Sequence, residues 1–119
     1  MPTQHALLSA SSAHRWLHCT EAPLLEKEFP DSTSTYAQEG TLAHELCELK
    51  LKKYTTVMAK GTYTKQHNKI MKSELWQNEM EETSERYLDY VKSIMLACDV
   101  APAVLIEKQV DFSQYVPGG

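Results

Sequence analysis

The chain has 119 residues, 42% of them hydrophobic, with 12 basic and 16 acidic side chains that give a formal net charge of -4. That length bounds it to a single small domain, and its longest apolar run falls far short of the roughly 20 residues a membrane-spanning helix needs. The negative balance disfavours a general nucleic-acid coat, because affinity for phosphates comes mainly from lysine and arginine, and three cysteines behind an N-terminus without a basic, apolar leader fit a reducing cytoplasm rather than a disulfide framework.

Ser9-Ala10-Ser11-Ser12 precedes Ala13-His14-Arg15-Trp16-Leu17-His18-Cys19. Serine hydroxyls accept the orphan N–H groups at a helix start, so a short first helix is expected there. Pro23, Pro30 and Asp31-Ser32-Thr33-Ser34 mark a connection, with room for a helical turn over 24–29. A second helix is expected over 35–54, with Tyr36, Leu42, Ala43, Leu46, Leu49 and Leu51 at its apolar positions and Gly40 admitting another backbone closely.

Residues 55–68 contain Gly61 and show no apolar period, which predicts a loop with its lysines in water; His67, like His5, is assigned to mobile sequence. Trp76, Met80, Thr83, Tyr87, Val91, Ile94 and Cys98 recur at steps of three and four, the pattern of a long amphipathic helix over 70–98 with glutamates on its other face. Pro102 closes it. From Ile106 the sequence alternates polar and apolar, which predicts a strand over 103–112 and allows a hairpin with 112–116. One strand needs a neighbour for its backbone groups. The expected fold is mainly α, a three-helix domain over 1–119 with a short C-terminal β strand or hairpin over 103–116.

Two charge blocks follow one another. Residues 50–72 hold seven lysines, Lys50, Lys52, Lys53, Lys60, Lys65, Lys69 and Lys72, and no carboxylate, whereas 74–89 hold Glu74, Glu79, Glu81, Glu82, Glu85 and Asp89 against Arg86 alone. Such blocks are either solvated faces or interaction surfaces.

A histidine and a thiol stand one helical turn apart in Glu39-Gly40-Thr41-Leu42-Ala43-His44-Glu45-Leu46-Cys47. His44 and Cys47, with Cys19 and either His14 or His18, make a four-donor shell for a metal ion. The spacing does not choose between the two imidazoles. The competing reading has Cys19 and Cys47 as small buried hydrophobes and His14 and His18 at the surface. An HExxH motif is ruled out because Glu48 stands where its second histidine belongs, and nothing orients Cys47 as a nucleophile.

At Leu8-Ser9-Ala10-Ser11, Ala13-His14-Arg15-Trp16-Leu17, Cys19, the segment from Glu39 to Leu46, and Glu107-Lys108-Gln109-Val110-Asp111-Phe112, the chain resembles the N-terminal region of a phage-associated family in the RecB-like branch of the PD-(D/E)xK nucleases. The resemblance implies that His44 lies at a nuclease metal on a helix opened by Gly40, and that Glu107 supports the same site. It also implies an aspartate strand and an acid-x-lysine strand, which this sequence lacks; Glu48-Leu49-Lys50 lies inside the second helix. Without those acids the remaining donors suit Zn²⁺ better than Mg²⁺, which wants hard oxygen ligands.

The leading expectation is therefore a non-catalytic, zinc-binding protein of phage or prophage origin that acts in the bacterial cytoplasm by protein contact. Its sharpest form is an anti-CRISPR inhibitor of an RNA-guided effector nuclease, with Glu74, Glu81, Glu82, Glu85 and Asp89 mimicking phosphates against a basic channel. The alternative is the N-terminal piece of a Mg²⁺-dependent DNA nuclease, with Gly40, His44 and Glu107 as site residues and 50–72 along DNA. The plainest reading is a helical domain whose charges are only surface.

Overall fold

The computed structural model describes residues 7–29, 32–115 and 117; His5, Pro30 and Asp31, named above, and the end of the 112–116 segment at 116 lie outside them. The chain divides into two compact units, one of Met1–Ser32 with Glu107–Gly119 and one of Thr33–Ile106.

In the first unit a 3-10 turn over Ala10–Ser12 leads into α1 (Ala13–His18), and α2 spans Ala22–Glu26. The serines do not cap α1 with a side-chain bond; the Ser9 and Ser12 hydroxyls bond to each other at 2.8 Å, and Trp16 Nε1 donates to the Ser9 carbonyl at 2.9 Å. The turn expected over 24–29 starts and stops earlier. Pro23 sets this, because its fixed φ and missing N–H suit the first turn of a helix, and it is the buried residue of α2. Arg15 and Glu26 tie α1 to α2 at 3.0 Å.

The second unit holds α3 (Thr35–Thr55), α4 (Lys60–Met71) and α5 (Asn78–Leu96). Ser34 caps α3 by accepting from Ala37 N at 3.2 Å, and Lys52 and Lys53 in its last turn face the negative end of the helix dipole. Glu79 and Glu81 do the converse at the start of α5. Helix α3 packs on both α4 and α5. The buried apolar side chains are Leu46, Leu49 and Leu51 of α3 and Met80 and Leu88 of α5. At Gly40 no atom beyond the adjoining turns of its own helix backbone lies within 4 Å of where a Cβ would be, so the expected close approach of another backbone is not found there among the described residues.

Three expectations are corrected. The predicted 55–68 loop is largely α4: Tyr63, His67 and Ile70 are its half-buried positions at helical spacing, a period hidden because two of the three side chains are polar. The long helix does not start at 70, since Ile70 and Met71 finish α4 and a turn precedes α5. No strand forms among the described residues. Glu107 has a φ of 48°, which no strand accommodates, and Asp111 then closes a turn by accepting from Ser113 N at 2.9 Å.

Helix α5 carries two apolar stripes. Met80, Ser84 and Leu88 are buried, with Val91 and Met95 half-buried on the same face, whereas Tyr87, Tyr90 and Ile94 are 43%, 67% and 51% exposed. The two stripes lie roughly 100° apart around the axis. The periodicity read from sequence ran across both.

Candidate functional site

The most unusual group in the second unit is Lys50, which is 2% exposed on the inward side of α3. Its Nζ donates to Glu85 Oε1 at 2.6 Å, to Glu81 Oε1 at 2.8 Å and to the Glu81 carbonyl at 3.3 Å. Three N–H groups thus meet three acceptors. Glu81 and Glu85 reach the ammonium together because residues four apart share one side of a helix.

The cluster extends into α4. His67 Nε2 donates to Glu81 Oε2 at 2.9 Å, so each oxygen of that carboxylate has a partner. The imidazole stacks on Tyr63 with 5.7 Å between centroids and meets Trp76 edge-on at 6.4 Å. Ser84, fully buried, donates its hydroxyl to the Glu81 carbonyl at 2.8 Å.

Burial alone pulls the Lys50 ammonium toward deprotonation, but the hydrogen bonds and charges of Glu81 and Glu85 overcome it and hold its pKa above the usual lysine value. Burial likewise opposes the ionised Glu81, and Lys50 and His67 outweigh it, so this carboxyl stays below the ordinary glutamate range. Tyr63, beside the cluster, is raised chiefly by burial. With its three donors engaged, Lys50 fastens α3 to α5.

The residues singled out for a metal sit as follows. His14, His18 and Cys19 belong to the first unit, and His44 and Cys47 to the second. His18 Nδ1 donates to the His14 carbonyl at 2.7 Å, and the two rings lie 4.6 Å apart. Cys19 is exposed and Cys47 half-buried, and burial raises the Cys47 thiol, which opposes the thiolate that zinc requires. Among the described residues no group of three or more histidine, cysteine, aspartate or glutamate side chains is gathered so as to hold a metal ion.

Of the predicted acidic face, Glu81 and Glu85 turn to Lys50, Glu82 pairs with Arg86 at 2.5 Å, and Glu74 and Asp89 are exposed. Sequence reasoning missed Lys50, which it left in a seven-lysine block read as a solvated face or an interaction surface, and His67, which it placed in a mobile loop. The acid-x-lysine triplet Glu48-Leu49-Lys50 splits two ways, because Glu48 pairs with Lys52 at 2.6 Å while Lys50 turns inward.

Among the described residues no helix is long and apolar enough to cross a membrane. A family model described as a protein of unknown function (DUF2800) matches residues 5–119. No solved structure matches the chain.

Proposed function

Because the chain belongs to this DUF2800 family, and α5 leaves a second apolar stripe open, we propose that it is a helical module that works by packing against further polypeptide. The partner we favour is the sheet portion of a metal-dependent DNA nuclease of the PD-(D/E)xK kind. The observation that carries this reading is the exposure of Tyr87, Tyr90 and Ile94 on one flank of α5, beside the face that packs on α3. A few buried leucines and a methionine make a small core for 119 residues, while large apolar side chains such as Leu96, Val100 and Leu105 are 76–79% exposed.

In that assembly His44, exposed on α3, is the residue the second unit offers to a divalent cation; the hard acids and the lysine that position an attacking water come from the partner polypeptide. The chain by itself is then a non-catalytic scaffold. Lys50, Glu81 and Glu85 keep α3, and with it His44, in a fixed relation to α5. The test pairs the chain with a polypeptide carrying the aspartate and acid-x-lysine strands and measures DNA cleavage with Mg²⁺ or Mn²⁺. The pair should cut, the chain alone should not, and His44→Ala should silence the pair while the variant still folds and still binds its partner. Cleavage by the isolated chain, or a normally active His44→Ala pair, sinks the proposal.

A second reading is favoured by the exposure of Glu74, Glu82 and Asp89. These could meet a basic channel of an RNA-guided effector nuclease and block it, as an anti-CRISPR inhibitor would. Pull-down against such effectors, with and without guide RNA, decides it, and a charge reversal at those three positions should release any complex.

A further inference from the structure

A cavity of about 370 Å³ opens among α3, α4 and α5 on the side of α5 away from the exposed apolar stripe. Its walls are Lys53 and Tyr54 from α3, Tyr63 from α4, and Glu85 and Lys92 from α5, with the buried Lys50 at its base. That volume lies within the roughly 300–1,000 Å³ typical of small-molecule sites.

The walls repeat one arrangement. Lys53 Nζ lies over the Tyr63 ring at 4.9 Å to its centroid, and Lys92 Nζ lies over the Tyr54 ring at 4.9 Å. Among the described residues neither ammonium is in an ion pair, whereas Lys50 is held by two carboxylates, Glu81 and Glu85. The cavity therefore holds two cations outside any ion pair, each resting on an aromatic face, and its lysines outnumber its one carboxylate wall. A cation–π contact at a partly exposed site is weaker than a charge-assisted hydrogen bond to a phosphate oxygen, so an arriving phosphate draws both ammoniums off the rings. The uncovered tyrosine faces then offer stacking surfaces to a planar group. Glu85 Oε1 is taken by Lys50, and its other oxygen is left to accept from a ligand N–H or hydroxyl.

A phosphate carries close to two negative charges near neutral pH and would find two ammoniums that are in no ion pair. A planar group answers the rings, and an N–H or hydroxyl answers Glu85. We infer that this cavity binds a free nucleoside phosphate, its phosphate on Lys53 and Lys92 and its base against a tyrosine ring. The long lysine stems let both ammoniums follow the phosphate without a backbone change. The cavity uses a different flank of α5 from the docking stripe, so it stands or falls apart from the nuclease reading.

The experiment is calorimetric titration of the full chain with AMP, adenosine, inorganic phosphate and a single-stranded pentanucleotide, at low and moderate salt. AMP should bind at least about tenfold more tightly than adenosine or phosphate alone, since it engages both kinds of wall. Lys53→Ala and Lys92→Ala should each weaken AMP about fivefold or more with unchanged melting temperature, and Tyr54→Phe should retain binding that Tyr54→Ala loses. Equal affinity for AMP and inorganic phosphate overturns the inference, as does no heat at millimolar AMP. A pentanucleotide binding more than about tenfold tighter than AMP, with a steep salt dependence, also overturns it by making the ligand a nucleic-acid strand.

Discussion

Removing the two halves of the Lys50 cluster should have very unequal effects. Lys50 is 2% exposed, whereas the side chains of Glu81 and Glu85 are 42% and 53% exposed. Glu81→Gln with Glu85→Gln leaves a full positive charge in a site with almost no water, a loss on the order of 3 kcal/mol for a stranded buried ion. Lys50→Met keeps an unbranched apolar side chain in the core and frees two carboxylates that can turn to solvent, so about 1 kcal/mol or less is expected. Urea unfolding of the full chain at pH 7, followed by far-UV circular dichroism with the slope unchanged, measures both. A second readout separates charge from packing. In the double glutamine variant burial is no longer opposed, so the folded-state pKa of Lys50 falls below its unfolded value of 10.5. The unfolded chain then binds more protons, and stability should climb as pH rises toward that value. The native chain runs the other way, since its raised Lys50 pKa contributes stability that is fully present below 10.5 and is lost as pH rises from there through the folded value. If Lys50→Met proves the more damaging change, or the double variant does not gain stability with pH, the buried-ammonium account is wrong.

Other outcomes follow from the same structure. The lowered pKa of Glu81 contributes stability above its ordinary value of 4.5 that is lost as pH falls through the lower folded value, so the urea midpoint should drop in acid and the drop should shrink in Glu81→Gln. Gly40→Ala meets empty space inside a helix and should raise stability by about 0.5–1 kcal/mol; a lower melting temperature would show that another atom occupies that position. Leu46→Ala, at 0% exposure, should cost about 3 kcal/mol or more, whereas Tyr90→Ala, at 67% exposure, should leave the isolated chain within about 0.5 kcal/mol of the parent. Chelator should leave the melting temperature in place and elemental analysis should find no stoichiometric zinc, given the raised Cys47 thiol; a chelator-induced drop of several degrees would restore the zinc shell.

Local rules made α3 legible, because Ser34 caps it, the leucines repeat at helical steps and no proline interrupts it. They made the existence of α5 legible too, but not its inward face: two apolar stripes on one helix satisfy the same period, and only the position of α3 decides which is covered. The predicted strand followed a true alternation of side chains. Alternation without a neighbouring strand has nothing to hydrogen-bond to, and the backbone turned at Glu107 instead. Helix α4 escaped notice because its half-buried positions are a tyrosine, a histidine and one isoleucine.

The sequence by itself settled the helical class, since that depends on contacts within a turn or two of chain. Lys50 shows what it could not settle. In the sequence it is one of seven lysines in a run without a carboxylate, and its burial depends on Glu81 and Glu85, 31 and 35 residues away. A charge can leave water only where packing delivers its counter-charges, so the tertiary structure alone decided which lysine went inside.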